Sequence, residues 1–102
     1  MELIPKNLEK IIPKLYESED VPYEEKTVFV KLFTPDSNWT WWVMEYSKEE
    51  QTMFCVVDGI ERELGYVNLA KLEELRGPLG LKVERDIHFT PKKVKEIEEL
   101  RW

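Results

Sequence analysis

Few of the residues that most enzymes depend on are present in this chain. There is one histidine, His88, and one cysteine, Cys55, among 102 residues. A single imidazole limits base catalysis, and no Gly-x-Ser-x-Gly turn is available to expose a serine nucleophile. Structural zinc takes about four Cys or His ligands, and the chain supplies two in all. Cys55 cannot form an internal disulfide and suits a reducing compartment. Its place in the apolar run "MFCVVDGI" marks it as a buried, inert thiol. Four glycines occur, without the spacing of a phosphate-binding loop. No apolar run approaches bilayer-spanning length, and "MELIPKNLEK" lacks the apolar stretch of a signal peptide. The expectations are no catalytic residue, no metal, no cofactor, no membrane contact and a cytoplasmic location.

Positive charge is also short. Fifteen Lys and Arg against 21 Asp and Glu leave a net charge of −6. That balance works against direct binding to nucleic acid or to anionic membranes. Glu17, Glu19, Asp20, Glu24 and Glu25 fall within nine residues that contain no Lys or Arg. Such runs are usually solvated loops. The alternative is a patch that meets a basic partner, such as a protein that itself binds nucleic acid.

What the chain does have is apolar and aromatic content, 42% and 12%, enough for one ordered domain over residues 1–102. Leu8, Ile11, Ile12 and Leu15 keep helical spacing, with Asn7 as a cap and Pro13 as a break. "KTVFVKLF", "WTWWVMEY", "TMFCVVDGI" and "ELGYVNL" alternate as strands, joined by the polar turns "TPDSN" and "SKEEQ" and a bend at Asp58 and Gly59. Asn68 can cap a helix carrying Leu69, Leu72 and Leu75, stopped by Gly77 and Pro78. "GLKVERDIHF" returns as a strand. Thr90 and Pro91 then open a last helix with Val94, Ile97 and Leu100 on its stripe. The predicted class is α+β: an antiparallel β-meander of four to five strands with two to three helices.

Two stretches stand out. In "SNWTWW", strand alternation divides the side chains: Trp39, Trp41 and Val43 point one way, Thr40, Trp42, Met44 and Tyr46 the other. Phe29 and Phe33 fall opposite Val28, Val30 and Leu32, so both faces of this hairpin are apolar. An antiparallel sheet normally wets one face; either helices cover both sides, or one aromatic face is reserved for something else, a partner surface or a stacked ligand. Trp42 is assigned to packing, and Trp39 and Trp41 to an open face beside Asn38, whose side chain can pin the turn. In "ERDIH", Glu84, Asp86 and His88 share one strand face and Arg85 lies on the other, apolar one. Three collinear ligands close a coordination shell poorly. Arg85 should meet a buried carboxylate, because an unpaired charge there is costly.

"LYESEDVPYEEKTVFVKLF", "FTPDSNWTWWVMEY" and "ELGYVNLAKLEELRGPLGLKVERDIHF" together resemble domain-of-unknown-function family 2958, from about Leu8 to Thr90. The matching positions include Ser37, Asn38, Trp39, Thr40 and Trp41, then Arg76, Gly77 and Pro78, and Glu84, Arg85, Asp86 and His88. The resemblance implies a small protein of plasmids, phages and integrated mobile elements, and it implies no activity. The leading expectation is a non-enzymatic binding protein that engages a host or element-encoded protein, an inhibitor of host defence being one form. The second is a protein that holds a nucleotide-like small molecule on the aromatic hairpin; a third is hydrolysis at a metal held by Asp86 and His88. Asn38, Trp39, Trp41, Arg85, Asp86 and His88 are the candidate binding residues.

Overall fold

The computed structural model describes residues 1–101. Along the chain come α1 (Lys6–Glu9), β1 (Thr27–Val28), β2 (Val30–Phe33), β3 (Thr40–Ser47), β4 (Thr52–Asp58), β5 (Arg62–Asn68), α2 (Leu69–Glu74), β6 (Glu84–Arg85) and β7 (Lys92–Lys93). Single 3₁₀ turns occupy Tyr23–Glu25, Val94–Glu96 and Glu98–Leu100. The five-stranded antiparallel sheet has the order β5-β4-β3-β2-β6, and β1 pairs separately with β7. The α+β class and the meander of β2 to β5 are those the sequence predicts. The two α-helices are short, and the third expected one does not form among the described residues.

Each shortfall has a local cause. α1 spans one turn and starts after Pro5, so Asn7 lies inside it instead of capping it. α2 keeps its cap: the Asn68 side chain accepts a hydrogen bond from Lys71 N at 2.9 Å. The expected C-terminal helix is absent. Lys92 and Lys93 pair with β1, and two 3₁₀ turns follow. A step of three residues is the 3₁₀ period, so Val94, Ile97 and Leu100 are all buried without an α-helix.

Both faces of the sheet are covered, which accounts for its double apolar pattern. On one face Val30, Leu32, Trp41, Val43 and Cys55 pack under Leu3, Ile4, Ile12, Leu69, Leu72 and Val83. On the other, Val28, Trp42, Met44 and Val56 pack under Val94, Ile97 and Leu100. Cys55 is fully buried, and that burial pushes its thiol pKa far up. Among the described residues no helix is long and apolar enough to cross a membrane.

Simple alternation fails at one point, with large effect. Val43 pairs with Cys55 and Glu45 with Phe54, leaving Met44 as an extra residue in β3. This β-bulge exchanges the faces beyond it. Tyr46, which regular alternation puts with Trp42 and Met44, instead joins Val43 in the first core. Across from the bulge the neighbouring strand also breaks: Phe29 N donates to Val43 O at 2.9 Å between β1 and β2. Val28 therefore lies in the second core while Val30 and Leu32 lie in the first, not on one shared face as alternation predicts. The bulge also turns Glu45 inward, to 2% exposure. Its carboxylate accepts hydrogen bonds from Tyr16 N at 2.8 Å, from Ser18 N at 3.0 Å and from the Ser18 hydroxyl. Tyr16 takes a left-handed conformation, φ 69°, which is unusual for a bulky residue and is held by this carboxylate.

Candidate functional site

The site starts from the turn between β2 and β3. Thr34 closes it: its hydroxyl accepts from Trp39 N at 3.1 Å, and its N–H donates to Trp39 O at 3.0 Å. Thr34 thus does what the sequence reading gives to Asn38, and Asn38 stands exposed at the tip. Asp36 fastens a second loop to the turn. Its carboxylate accepts from Leu79 N at 2.8 Å and Leu81 N at 3.4 Å. Gly77 comes so near that a Cβ there would lie 1.7 Å from the carboxylate oxygen.

The three tryptophans separate differently from the alternation rule. Trp41 and Trp42 are 5% and 3% exposed, and Trp39 is 37% exposed. Trp41 is therefore core, a correction to its expected place on an open face. The cause is coverage by distant segments, Leu3, Ile4 and α2, which pack on the Trp41 side of the sheet. Trp39 stacks on Trp41 with ring centroids 6.1 Å apart. Its ring also lies on Gly59, where a Cβ would fall 2.3–2.5 Å from the indole. Only glycine leaves room for it.

Opposite the hairpin tip lies β6. Arg85 pairs with Leu32, and its Nε donates to Glu2 O at 3.1 Å. The expected buried carboxylate is replaced by a main-chain carbonyl, which the N-terminal segment supplies. Beyond Arg85 the strand ends. Asp86 N donates to Lys31 O, and Asp86 Oδ1 accepts from His88 N, both at 2.9 Å, folding Asp86–Phe89 into a turn. The expected strand row of Glu84, Asp86 and His88 is lost, because the Asp86 side chain competes for the backbone. Lys31 Nζ sits 3.7 Å from Asp86 Oδ2 and 5.0 Å over the Trp42 ring, and Phe89 meets Trp42 edge-on at 6.0 Å.

Between these two parts lies an open cleft of about 630 Å³. Asn38, Trp39, Arg85, Asp86 and His88 all line it, with Lys31, Phe33, Glu84, Ile87 and Met1. Five of the six candidate residues thus converge, from segments about 45 residues apart. The sixth, Trp41, lines a separate groove of about 370 Å³ with Leu75–Pro78 and the other side of Trp39. The cleft offers an indole ring, an imidazole, two cations and two carboxylates, so it can stack on and hydrogen-bond a ligand with little net charge preference. Among the described residues no three His, Cys, Asp or Glu side chains are grouped as a metal would need. Lys31 and Thr34 are residues that sequence reading misses; Asp36 it reads as a turn former, without the second loop that its carboxylate holds.

The acidic run is smaller than its sequence implies. Glu25 bonds Lys93 Nζ at 2.9 Å and Lys95 Nζ at 2.7 Å. The hydrogen bond from Lys93, then that from Lys95, lowers its carboxyl pKa to about 2. Glu17, Glu19, Asp20 and Glu24 stay exposed, with Tyr16 resting on Tyr66 of β5 at 5.9 Å.

No curated protein and no solved structure matches the chain. The model of the family described as protein of unknown function, DUF2958, matches residues 3–96, and the chain belongs to that family.

Proposed function

We propose that the protein works by binding without catalysis, and that its working face is the cleft between the hairpin tip and the Asp86–Phe89 turn. The observation that carries this reading is the convergence of Asn38, Trp39, Arg85, Asp86 and His88 on one cleft. The occupant we favour is a protein. Around the cleft and on the loop fastened by Asp36, Met1, Trp39, Leu79, Leu81 and Ile87 are exposed, and apolar chains gathered on one surface are a mark of protein contacts. In the setting the family resemblance implies, a mobile element in a bacterial cytoplasm, the partner is a host or element-encoded protein, and inhibition of host defence is one form of the activity. A nucleotide-like ligand is the second reading, favoured by the exposed Trp39 ring beside Lys31 and Arg85.

The test is capture of partners from the native host with the full chain and with Trp39→Ala and His88→Ala, followed by mass spectrometry of proteins and small molecules. A protein retained by the wild type and lost by both variants supports the proposal. Release of a small molecule with no protein selects the second reading. Capture lost instead on Glu17, Glu19 and Asp20→Lys, and weakened by moderate salt, moves the contact to the acidic run.

A further inference from the structure

The two edges of the main sheet are treated in opposite ways. β6, at one edge, has two residues, and the N-terminal segment lies against it: Met1 Sδ accepts from Arg85 N, and Glu2 O from Arg85 Nε. β5, at the other edge, runs for seven residues with no bulge, no proline and, among the described residues, no strand beyond it. Natural sheets usually blunt so long an edge, because its free N–H and C=O groups template another strand.

The register identifies those groups. Leu69 N donates to Gln51 O and Gly59 N to Glu61 O, flanking the β4–β5 ladder at its two ends. Alternation in an antiparallel pair then directs the main-chain groups of Glu63, Gly65 and Val67 toward β4, and those of Leu64 and Tyr66 outward. Leu64 and Tyr66 are also 45% and 52% exposed on one face of the strand. Between them sits Gly65. A glycine weakens a strand interior, and nothing inside the chain calls for one here: a Cβ would meet no atom within 4 Å, and its φ is not positive. With bulge and bend absent, a strand glycine of this kind is often a place where a ligand or another backbone comes close.

We propose that β5 pairs antiparallel with β5 of a second copy of this chain, the twofold axis passing through Gly65. In that register Gly65 faces Gly65 in a non-hydrogen-bonded pair, where opposing Cα atoms come nearest, about 4.5 Å. Leu64 and Tyr66 of one copy exchange main-chain hydrogen bonds with Tyr66 and Leu64 of the other. Their side chains form two aliphatic–aromatic cross-strand pairs. The register also sets no like charges directly opposite each other: Glu61, Arg62 and Glu63 of one copy face Leu69, Asn68 and Val67 of the other. The result is a continuous ten-stranded sheet, with the two clefts on its outer ends. Edge pairing alone buries less than a standard interface, so the dimer is a weak one that forms at about 10–500 μM.

Sedimentation equilibrium of the full chain, with amide exchange measured by NMR, tests this. The expected result is a mass that rises from one to two copies across that range. Exchange of the Leu64 and Tyr66 amides should slow at least tenfold as dimer forms, while those of Gly65 and Val67 are protected throughout. Gly65→Lys puts like charges opposite each other at the axis and should leave a folded monomer by circular dichroism. If the lysine variant does not fold, the wild-type exchange pattern decides by itself. A chain that stays monomeric to millimolar concentration overturns the proposal, leaving the edge to a strand of some other protein. So does a dimer in which Leu64 and Tyr66 exchange as fast as in the monomer.

Discussion

Replacing Glu45 by glutamine tests how far one buried carboxylate governs the segment that leads into the acidic run. The side chain is 2% exposed and accepts from three donors, Tyr16 N, Ser18 N and the Ser18 hydroxyl. Glutamine keeps the shape but offers one acceptor oxygen and an amide that donates. If the oxygen stays with Tyr16 N, the amide confronts the Ser18 N–H, and a buried donor goes unpaired at a cost of about 1–3 kcal/mol. The Ser18 hydroxyl can rotate to accept, which recovers part of that. Hydrogen bonds to a charged group are also worth about 1.5–3 kcal/mol each, against about 1 for neutral pairs. The net loss is about 2–4 kcal/mol, a large share of the roughly 5–15 kcal/mol that holds a domain folded. At about 4–8 °C per kcal/mol for a chain of this size, Tm should fall by roughly 8–32 °C. Calorimetry measures this directly. Amide exchange at Tyr16 and Ser18 should accelerate well before that of β3. A variant that melts within about 2 °C of wild type, or one that keeps both amides protected, would refute the account of Glu45 as the anchor.

Three further outcomes are expected. Trp41→Ala and Trp42→Ala should each cost about 3–5 kcal/mol in denaturant melts, and Trp39→Ala clearly less; Trp42→Phe should be far milder than Trp42→Ala, since the buried indole N–H of Trp42 has no acceptor among the described residues. Gly77→Ala should destabilise the chain by driving a methyl into the Asp36 carboxylate, and adding Asp36→Ala should recover part of the loss, a coupling that a double-mutant cycle reads. Glu25 has a folded pKa of about 2, below the usual value of 4.5, so the stability it contributes is full above that unfolded value and is lost as pH falls through 2; an NMR titration of its carboxyl with a midpoint near 4.5 would contradict the Lys93 and Lys95 pairing.

The long periodic parts of the chain were readable and the short ones were not. β2 to β5 alternate over enough residues to identify strands and turns, and Asn68 caps α2 by a bond that its sequence position predicts. The bulge at Met44 leaves only a faint mark on the sequence: regular alternation sets Glu45 on the apolar side with Trp41 and Val43, but that misfit does not say which residue is the extra one. Yet the bulge relocates Tyr46 and buries Glu45. Alternation misplaces Trp41 for a related reason. Alternation tells which side chains share a face but not what lies over it, and here the cover comes from Leu3 and Ile4 and from α2. At the C-terminal end, spacing by three fits α and 3₁₀ structure alike, and pairing of Lys92–Lys93 with β1 decided between them. The candidate site was legible as two stretches, "SNWTWW" and "ERDIH"; their meeting across one cleft rests on the pairing of β2 with β6, which no local pattern encodes.

The way the second core is closed has a consequence for how the protein is made. Val28, Trp42 and Met44 wait for Val94, Ile97 and Leu100, and β1 waits for β7. While the ribosome is still releasing residues 92–100, the meander can form but one side of it stays wet. Synthesis at about 5–20 residues per second leaves that aromatic side uncovered for several seconds. Any chaperone that meets the nascent chain should therefore recognise the Trp42 side of β3, and a chain stalled or cut before Lys92 should be a substrate for proteolysis instead of a shortened version of the fold.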